Sequence, residues 1–194
     1  FLLRKSLESR GIDIRCGANS KEILGETGKV RALLLDEHTA PGGQVYRSVE
    51  KVTDKRPADL NVLGSHYRSG SKAVERLHSS GAQYWPGTSV WEISAAEEPA
   101  LAVGVVRDGR ARMIQAGHIV LATGAMERPT PFPGWTLPGV MTVGAAQTLL
   151  KSSGLVPEGR IAVAGSGPLL YLYISQLIKA GKKPQVILDT RPRA

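Results

Sequence analysis

The sequence has little cysteine, few aromatic residues and no long apolar run, and each shortage excludes a class of protein. Its 194 residues include a single cysteine, Cys16. This excludes an intramolecular disulfide, a Cys-x-x-Cys redox pair and a zinc site built from cysteines. No run comes near the roughly 18 consecutive apolar residues of a membrane-spanning helix. Aromatic residues make up 5% of the chain, which leaves few side chains on which nucleic-acid bases can stack.

Charge and polar side chains exclude further classes. Lysine and arginine outnumber the acids by 25 to 17, a net charge of +8, but they are scattered rather than gathered in a nucleic-acid-binding arm. Such a surface suits an anionic cofactor or an acidic partner. The four histidines lack metal-ligand spacing, and no Gly-x-Ser-x-Gly elbow is present. We therefore expect no metal and no nucleic-acid partner, and the missing apolar core of a secretory signal predicts a cytoplasmic location.

Hydrophobic periodicity predicts an α/β fold. Residues 161–164 and 185–189 have the apolar character of strands, and residues 168–180 between them that of a buried helix. A strand–helix–strand order is typical of parallel pairing. Residues 47–64 are interpreted as a surface loop and residues 128–139 as an extended linker. Further strands are predicted at 12–15, 21–24, 30–36, 89–94, 101–106, 112–115 and 118–123, and further helices at 1–10, 66–80 and 143–151. The strands at 89–94, 101–106 and 112–115 are expected to form a meander, with turns at 97–99 and 108–109.

The most informative local pattern lies where the strand at 161–164 meets the following helix. Gly165 and Gly167 lead directly into Pro168, a residue suited to the first turn of a helix. Glycines in such a turn let backbone N–H groups approach a diphosphate, and the helix dipole favours its negative charge. Asp189 ends the next strand, near where a ribose-binding acid is expected. Because Leu170 replaces the third glycine of the fingerprint, a glycine-rich turn without a nucleotide stays an open alternative.

Two other predicted strand ends carry acidic or small residues. The apolar run at 33–35 ends in Asp36 and Glu37, and an acid after a buried strand holds the nucleotide ribose in dinucleotide-binding folds. The predicted strand at 118–123 runs into Gly124, where the backbone can come close to a cofactor. A solvated strand end and a tight strand exit explain the same residues without any ligand.

Together these segments resemble flavoproteins of the pyridine nucleotide–disulfide oxidoreductase type, which have two dinucleotide-binding domains. In detail they are most similar to the FAD-containing subunits of opine oxidases, hydroxyproline or proline dehydrogenases and hydrogen cyanide synthase. The resemblance implies a Rossmann-like, dinucleotide-binding α/β fold over about residues 33–194. It is carried by LLDE at 34–37 through GGQVYR at 42–47, ATGAMERP at 122–129, and PFPGWTLPGVM at 131–141 with GAAQ at 144–147.

The same resemblance implies FAD as a cofactor, with NAD(P) as a second candidate. If a nicotinamide nucleotide binds, Asp189 is expected to select NADH over NADPH, because a carboxylate accepts hydrogen bonds from a ribose hydroxyl and repels a 2′-phosphate. The implied FAD residues are an acid on the ribose, two glycines on the flavin side, backbone beside the adenine and a turn on the diphosphate: Glu37; Gly42 and Gly43; Val90; Thr123 and Gly124. The implied residues of the second site are Gly165, Gly167 and Asp189.

Relative to that family, the order of segments is unusual. Residues 1–32 resemble the end of an NAD(P)-binding domain, and residues 153–194 resemble the start of one. Residues 33–152 resemble a FAD-binding domain without its first strand, glycine loop and helix. The fold is therefore expected to be incomplete or permuted. Since that loop normally holds the diphosphate, we expect FAD to bind this chain weakly.

The sequence is interpreted as an FAD-dependent oxidoreductase subunit that oxidises a C–N bond of an amino acid, opine or related amine, together with a partner subunit or as an oligomer. No side chain is assigned as catalytic, because hydride transfer to a flavin needs orientation and a deprotonated amine rather than a side-chain base. Two alternatives stay open. One is an NAD(P)H-dependent flavoprotein reductase, and the other is a non-catalytic nucleotide-binding subunit or fragment.

Replacing Cys16 by serine tests the exclusion of dithiol chemistry. Flavoproteins that exchange disulfides pass electrons through two cysteines, and this chain has one. We expect Cys16→Ser to leave the rate of flavin reduction unchanged, measured as anaerobic loss of flavin absorbance. A large loss of turnover would show that the thiol takes part.

Overall fold

The chain is organised as two units, each built from two stretches of sequence. A computed structural model describes residues 32–95 and 101–191. The first unit comprises Phe1–Thr39 and His78–Gly124, and the second comprises Ala40–Leu77 and Ala125–Ala194. The division into 1–32, 33–152 and 153–194 concerns cofactor-binding domains and stays a prediction.

The described part of the first unit consists mainly of short strands in two sheets. The β1 and β2 strands pair in parallel, whereas β3, β4 and β5 form an antiparallel meander. The β4–β5 turn is made by Asp108 and Gly109, with φ of 53° and 69°, as in the two-residue turns that match strand twist. The meander predicted from the sequence is confirmed. The strands are β1 (Leu33–Leu35), β2 (Gln83–Trp85), β3 (Thr88–Ala95), β4 (Leu101–Arg107) and β5 (Arg110–Ala116).

The described part of the second unit combines helices with a parallel strand pair. Ala162 lies opposite Val186 in that pair, and a helix connects the two strands. The predicted strand–helix–strand unit with parallel pairing is therefore confirmed. Its elements are α1 (Val49–Lys55), α2 (Asp59–Leu63), α3 (Ser65–Arg68), α4 (Gly70–Ser79), α5 (Val143–Ser153), β6 (Ala162–Gly165), α6 (Pro168–Lys179) and β7 (Val186–Asp189).

The core of the second unit brings these helices against the β6 strand. It contains aliphatic residues from all six helices except α3, which contributes an aromatic ring instead. Leu177 of α6 is fully buried in it. The buried members are Val49, Val52, Leu60, Leu63, Tyr67, Val74, Ala146, Leu150, Ile161, Val163, Leu170, Tyr173, Ile174 and Leu177.

The helix ends of α5 and α6 follow from local sequence chemistry. Thr142 caps α5, because its Oγ1 accepts a hydrogen bond from the Ala145 N–H at 3.3 Å. Gly154, with φ of 71°, ends the same helix and donates its N–H to the Leu150 carbonyl at 2.9 Å. Pro168 occupies the first turn of α6. Within the part of the chain that the structure describes, no helix is long and apolar enough to span a bilayer.

Two predicted elements are wrong. Residues 47–64 contain α1 and α2 rather than a surface loop, because Val49 and Val52 share one helical face that is fully buried. Residues 118–123 are not a strand but coil, exposed except at Ile119. Their apolar side chains suit a strand, but no other described strand pairs with them, and an unpaired strand leaves its backbone groups without partners.

The remaining helix and strand predictions agree with the structure within a few residues. The predicted helix 66–80 is divided between α3 and α4, and the 128–139 segment has neither helix nor strand. The β2 strand was not predicted. The predicted strand 30–36 is observed as β1 from Leu33. The elements predicted at 1–10, 12–15 and 21–24 lie outside the described residues, as do residues 30 and 31.

Truncation of Leu177 tests the packing of the second unit. Leu177 is fully buried, whereas Leu172 on the same helix is 47% exposed. We expect Leu177→Ala to lower the free energy of unfolding by about 2–5 kcal/mol, because the lost contacts leave a cavity. Leu172→Ala should cost about 0.5 kcal/mol or less. Urea denaturation of the two variants measures both values, and equal losses would contradict the packing described.

Candidate functional site

The two acids after β1 have different environments, which separates their roles. Asp36 accepts hydrogen bonds from the His38 N–H at 2.9 Å and the Tyr84 hydroxyl at 3.2 Å. Its backbone carbonyl also accepts the Thr88 N–H at 2.9 Å, which joins the end of β1 to the start of β3. Asp36 therefore stabilises the strand end. Glu37 is exposed, so its carboxylate is available to a ligand.

Val90 lies in β3, whose first residue, Thr88, donates its N–H to the Asp36 carbonyl. It is 43% exposed and pairs with Val105 of β4. The register shifts immediately after it, at Trp91, and such a bulge re-aims the neighbouring side chains. The Trp91 ring then covers Gly104, where an added Cβ would approach the ring to 2.7 Å. The topology thus brings Glu37 and Val90 to the same part of the first unit.

Thr123 and Gly124 are not tied to that part of the unit by the described contacts. Both lie in exposed coil, and the described backbone hydrogen bonds between segments do not include them. Gly124 has φ of 72° with no atom near its Cβ position. A positive φ of this size favours glycine, so the backbone here is open to a ligand but not yet joined to the other candidate residues.

In the second unit, residues 41–47 form a compact turn, called here the glycine turn. The Tyr46 N–H donates to the Gly42 carbonyl at 2.8 Å. Gly42 has φ of 120°, and a Cβ there would overlap the Tyr46 backbone, so chain packing alone requires this glycine. Gly43 has φ of 53° with open space at its Cβ position. It is therefore the glycine at which the turn can meet a ligand.

The glycine turn is held by side chains from two helices. The Tyr67 hydroxyl donates to the Arg47 carbonyl at 2.6 Å, and the Lys151 ammonium donates to the Gln44 carbonyl at 2.9 Å. Lys151 was not identified from the sequence. The available signal was its place with Gln147 on the buried face of α5, since polar residues on such a face are rare and usually hydrogen-bonded.

The turn between β6 and α6, called here the second turn, has the backbone expected for a phosphate contact. Gly165 and Gly167 have φ of 150° and 89°, and no side chain caps the N-terminus of α6. The N–H groups of that terminus are thus left for another acceptor. The surroundings suit an anion less well. The adjoining cavity of about 130 Å³ is lined partly by Glu127, and binding clefts usually measure roughly 300–1,000 Å³.

Asp189 lies at the end of β7, in parallel register with Gly165. Both of its carboxylate oxygens already accept hydrogen bonds from the Arg191 guanidinium, at 3.1 and 2.6 Å, and the Tyr171 hydroxyl also donates to it. Hydrogen bonds from Arg191 first, and then from Tyr171, hold the pKa of Asp189 well below its usual range. Sequence reasoning identified Asp189 but not its partner Tyr171.

The candidate residues differ in how well they fit the two cofactors. In the first unit, the exposed acid Glu37, exposed Val90 and open backbone at Gly124 are each compatible with a nucleotide contact. In the second unit, the open backbone at Gly43 is compatible with a ligand. The second turn is compatible with a phosphate, but the small cavity, the Glu127 carboxylate and the engaged Asp189 fit a whole dinucleotide poorly.

Comparison with known proteins shows similarity to parts of several enzyme subunits. An opine oxidase subunit of Rhizobium meliloti is 47% identical over 164 residues, which are 82% of this chain and 31% of that protein. The hydrogen cyanide synthase subunit HcnB of Pseudomonas aeruginosa is 37% identical over 152 residues, 78% of this chain and 32% of that protein. The alpha subunit of sarcosine oxidase from Rhizobium meliloti (strain 1021) is 30% identical over 169 residues, 84% of this chain and 17% of that protein. No family model matches the chain.

The fold resembles part of a dehydrogenase. The crystal structure of L-proline dehydrogenase from P. horikoshii matches with a TM-score of 0.60 and 23% identity, over 84% of this chain and 31% of that one. An α/β, dehydrogenase-like fold is therefore confirmed. The chain spans about a third of the length of the opine oxidase and hydrogen cyanide synthase subunits that it matches. The names of the relatives agree with the oxidoreductase predicted from the sequence.

Replacement of Asp189 tests whether a nicotinamide nucleotide binds at the second turn. We expect weak binding of NADH and NADPH to the wild-type chain, and Asp189→Ala should shift the affinity ratio about tenfold toward NADPH, because a released Arg191 can meet a 2′-phosphate. Titration with each nucleotide, followed by its fluorescence, measures the ratio. Asp54→Ala, an exposed change on α1, is the control. Equal changes for both nucleotides would remove Asp189 from any such site.

Proposed function

We propose that this chain is the FAD-binding part of an oxidoreductase subunit that oxidises a C–N bond in an amino acid, an opine or a related amine. The observation that carries the proposal is 47% identity over 164 residues to an opine oxidase subunit. The fold likeness to a proline dehydrogenase supports it. On this proposal the chain works with a partner protein, because several of its relatives are named as subunits.

The Rossmann-like detail of this proposal gives each candidate residue a task. Glu37 accepts hydrogen bonds from the ribose hydroxyls of the adenosine half, and Val90 lies beside the adenine. The glycine turn, through Gly43, receives the flavin half. Thr123 and Gly124 contribute open backbone for the diphosphate. When bound, FAD supplies the hydride acceptor for the oxidation, while the protein orients the cofactor and supplies its electrostatic environment.

The chemistry assigned to the protein itself is limited to binding and orientation. An amine gives up a hydride from carbon and a proton from nitrogen, and its reaction depends on a deprotonated nitrogen held at the right angle. None of the candidate residues described above is assigned as the base that accepts this proton. Weak FAD binding by the chain alone is part of the proposal, because residues 33–152 resemble a FAD-binding domain without its glycine loop. That loop would contribute several charge-assisted hydrogen bonds to the diphosphate.

A single substitution at Glu37 tests the proposed ribose contact. We expect Glu37→Gln to weaken FAD binding by about tenfold or more, since hydrogen bonds to a charged group contribute about 1.5–3 kcal/mol. FMN lacks the adenosine half, so its affinity should not change. Fluorescence titration of the full chain at high protein concentration measures both flavins. Glu75→Gln, an exposed change on α4, is the matched control.

Three results of this experiment lead to different conclusions. Selective loss of FAD affinity supports the proposal. Equal loss for FAD and FMN would place Glu37 outside a ribose site. If neither flavin binds the wild-type chain, the non-catalytic alternative is favoured.

If flavin binds, anaerobic mixing of the loaded protein with an opine or with NADH separates the C–N oxidase from the NAD(P)H-dependent reductase. The compound that bleaches the flavin identifies which of the two the protein is.

A further inference from the structure

The Lys151 ammonium is buried, and none of the described residues places a carboxylate beside it. The residue is 6% exposed, and its Nζ donates to the Gln44 carbonyl and to Gln147 Oε1, each at 2.9 Å. The Tyr67 ring lies 6.0 Å from the same nitrogen. Burying a charge without a counter-ion is costly, and an apolar side chain would fill this space at lower cost. The hydrogen bonds that Lys151 makes must therefore account for a lysine at this buried position.

A chain of buried amides fixes the position of Lys151, and we call it the polar chain. Gln147 Nε2 donates to Gln176 Oε1 at 3.1 Å, and Gln176 Nε2 donates to the Leu63 carbonyl at 3.4 Å. Because the Gln147 amide group uses its nitrogen on Gln176, its oxygen is left to face Lys151. The ammonium is thus anchored through α5 and α6 to the end of α2.

On its other side, Lys151 holds the middle of the glycine turn. The end of the turn is fixed separately, by the Tyr67 hydroxyl on the Arg47 carbonyl and by the Tyr46 ring over Gly70. The Gln44 carbonyl, one residue after Gly43, accepts from Lys151 at 2.9 Å. The residue that presents open backbone therefore lies next to the one that the lysine holds.

We propose that Lys151 is a positioning residue, which holds the glycine turn in the conformation that receives the flavin half of the cofactor. This inference rests on the proposed function for the identity of the ligand. It assigns Lys151 no contact with the cofactor. Its effect passes through the Gln44 carbonyl to the backbone at Gly43.

The predicted experiment compares Lys151→Met with Lys179→Met, which removes a lysine from the exposed end of α6. Amide exchange of the flavin-free chain reports on the turn, because the Tyr46 N–H is protected by its bond to the Gly42 carbonyl. We expect exchange at Tyr46 to become about tenfold faster in Lys151→Met, without a loss of global stability at pH 7. Lys151→Arg, which keeps a donor for Gln44, should restore part of the protection.

Flavin titrations then link the turn to the cofactor. Lys151→Met should weaken FAD and FMN alike, by about tenfold, because both carry the flavin half. This differs from Glu37→Gln, which should affect FAD alone. If exchange at Tyr46 accelerates but neither affinity changes, the inference is overturned while the Glu37 result stands. A wild-type chain that binds no flavin overturns both proposals.

Stability as a function of pH provides a signature of the buried amine. Burial, and then the positive charge of Arg47, lower the pKa of Lys151 from 10.5 to about 8. Between these values the unfolded chain binds more protons than the folded one, so the stability of the wild type relative to Lys151→Met should rise with pH, by roughly a hundredfold in the folding equilibrium. The charged groups nearby, Arg56 and Asp59, pair with each other at 2.8 Å. Burial raises the pKa of the neighbouring Tyr67 to about 12.

Two results would contradict the role of the polar chain. Unchanged exchange at Tyr46 in a folded Lys151→Met protein shows that the lysine does not hold the turn. If Lys151→Met does not fold, Gln147→Met removes one anchor and leaves the lysine in place. It should accelerate exchange at Tyr46 in the same direction but less strongly, and unchanged exchange in that variant overturns the inference.

Discussion

In the second unit, the hydrogen bonds of one buried amine connect the glycine turn to the packed helices. Lys151 lies on a helix that packs against α6 and α1, and its ammonium must find acceptors inside the protein because water is excluded. The Gln44 carbonyl and the Gln147 side chain provide them. A polar group buried in this way is costly unless every partner is in place. The packing of the helices and the conformation of the glycine turn are therefore linked.

In the first unit, two neighbouring acids at the end of β1 have different roles. Asp36 ties the end of β1 to the following residues through its carboxylate and to β3 through its carbonyl. The neighbouring acid, Glu37, remains exposed. One acid stabilises the strand end, which leaves the other free to meet a ligand. The two acids are equivalent in the sequence, and only their hydrogen bonds distinguish them.

The glycines illustrate how one residue type serves different purposes. Gly42 is required because a side chain would overlap the backbone of Tyr46, whereas Gly43 and Gly124 have positive φ and open space around them. At Gly104, a side chain would overlap the Trp91 ring. Open space at a glycine with positive φ is compatible with a ligand, but overlap with the chain itself is explained by folding alone. The glycine pattern of the sequence located these turns, but it did not separate glycines that packing requires from glycines with open space around them.

The sequence by itself determined the alternation of strands and helices at 161–189, the antiparallel meander and the candidate acids at strand ends, because periodicity and turn chemistry are local properties. It did not predict α1 and α2, since the burial of Val49 and Val52 depends on helices distant in sequence. It also placed a strand at 118–123, where apolar character was present but pairing was not. The roles of Asp36 and Lys151 were decided by the tertiary structure alone, because each depends on partners distant in sequence that folding brings together.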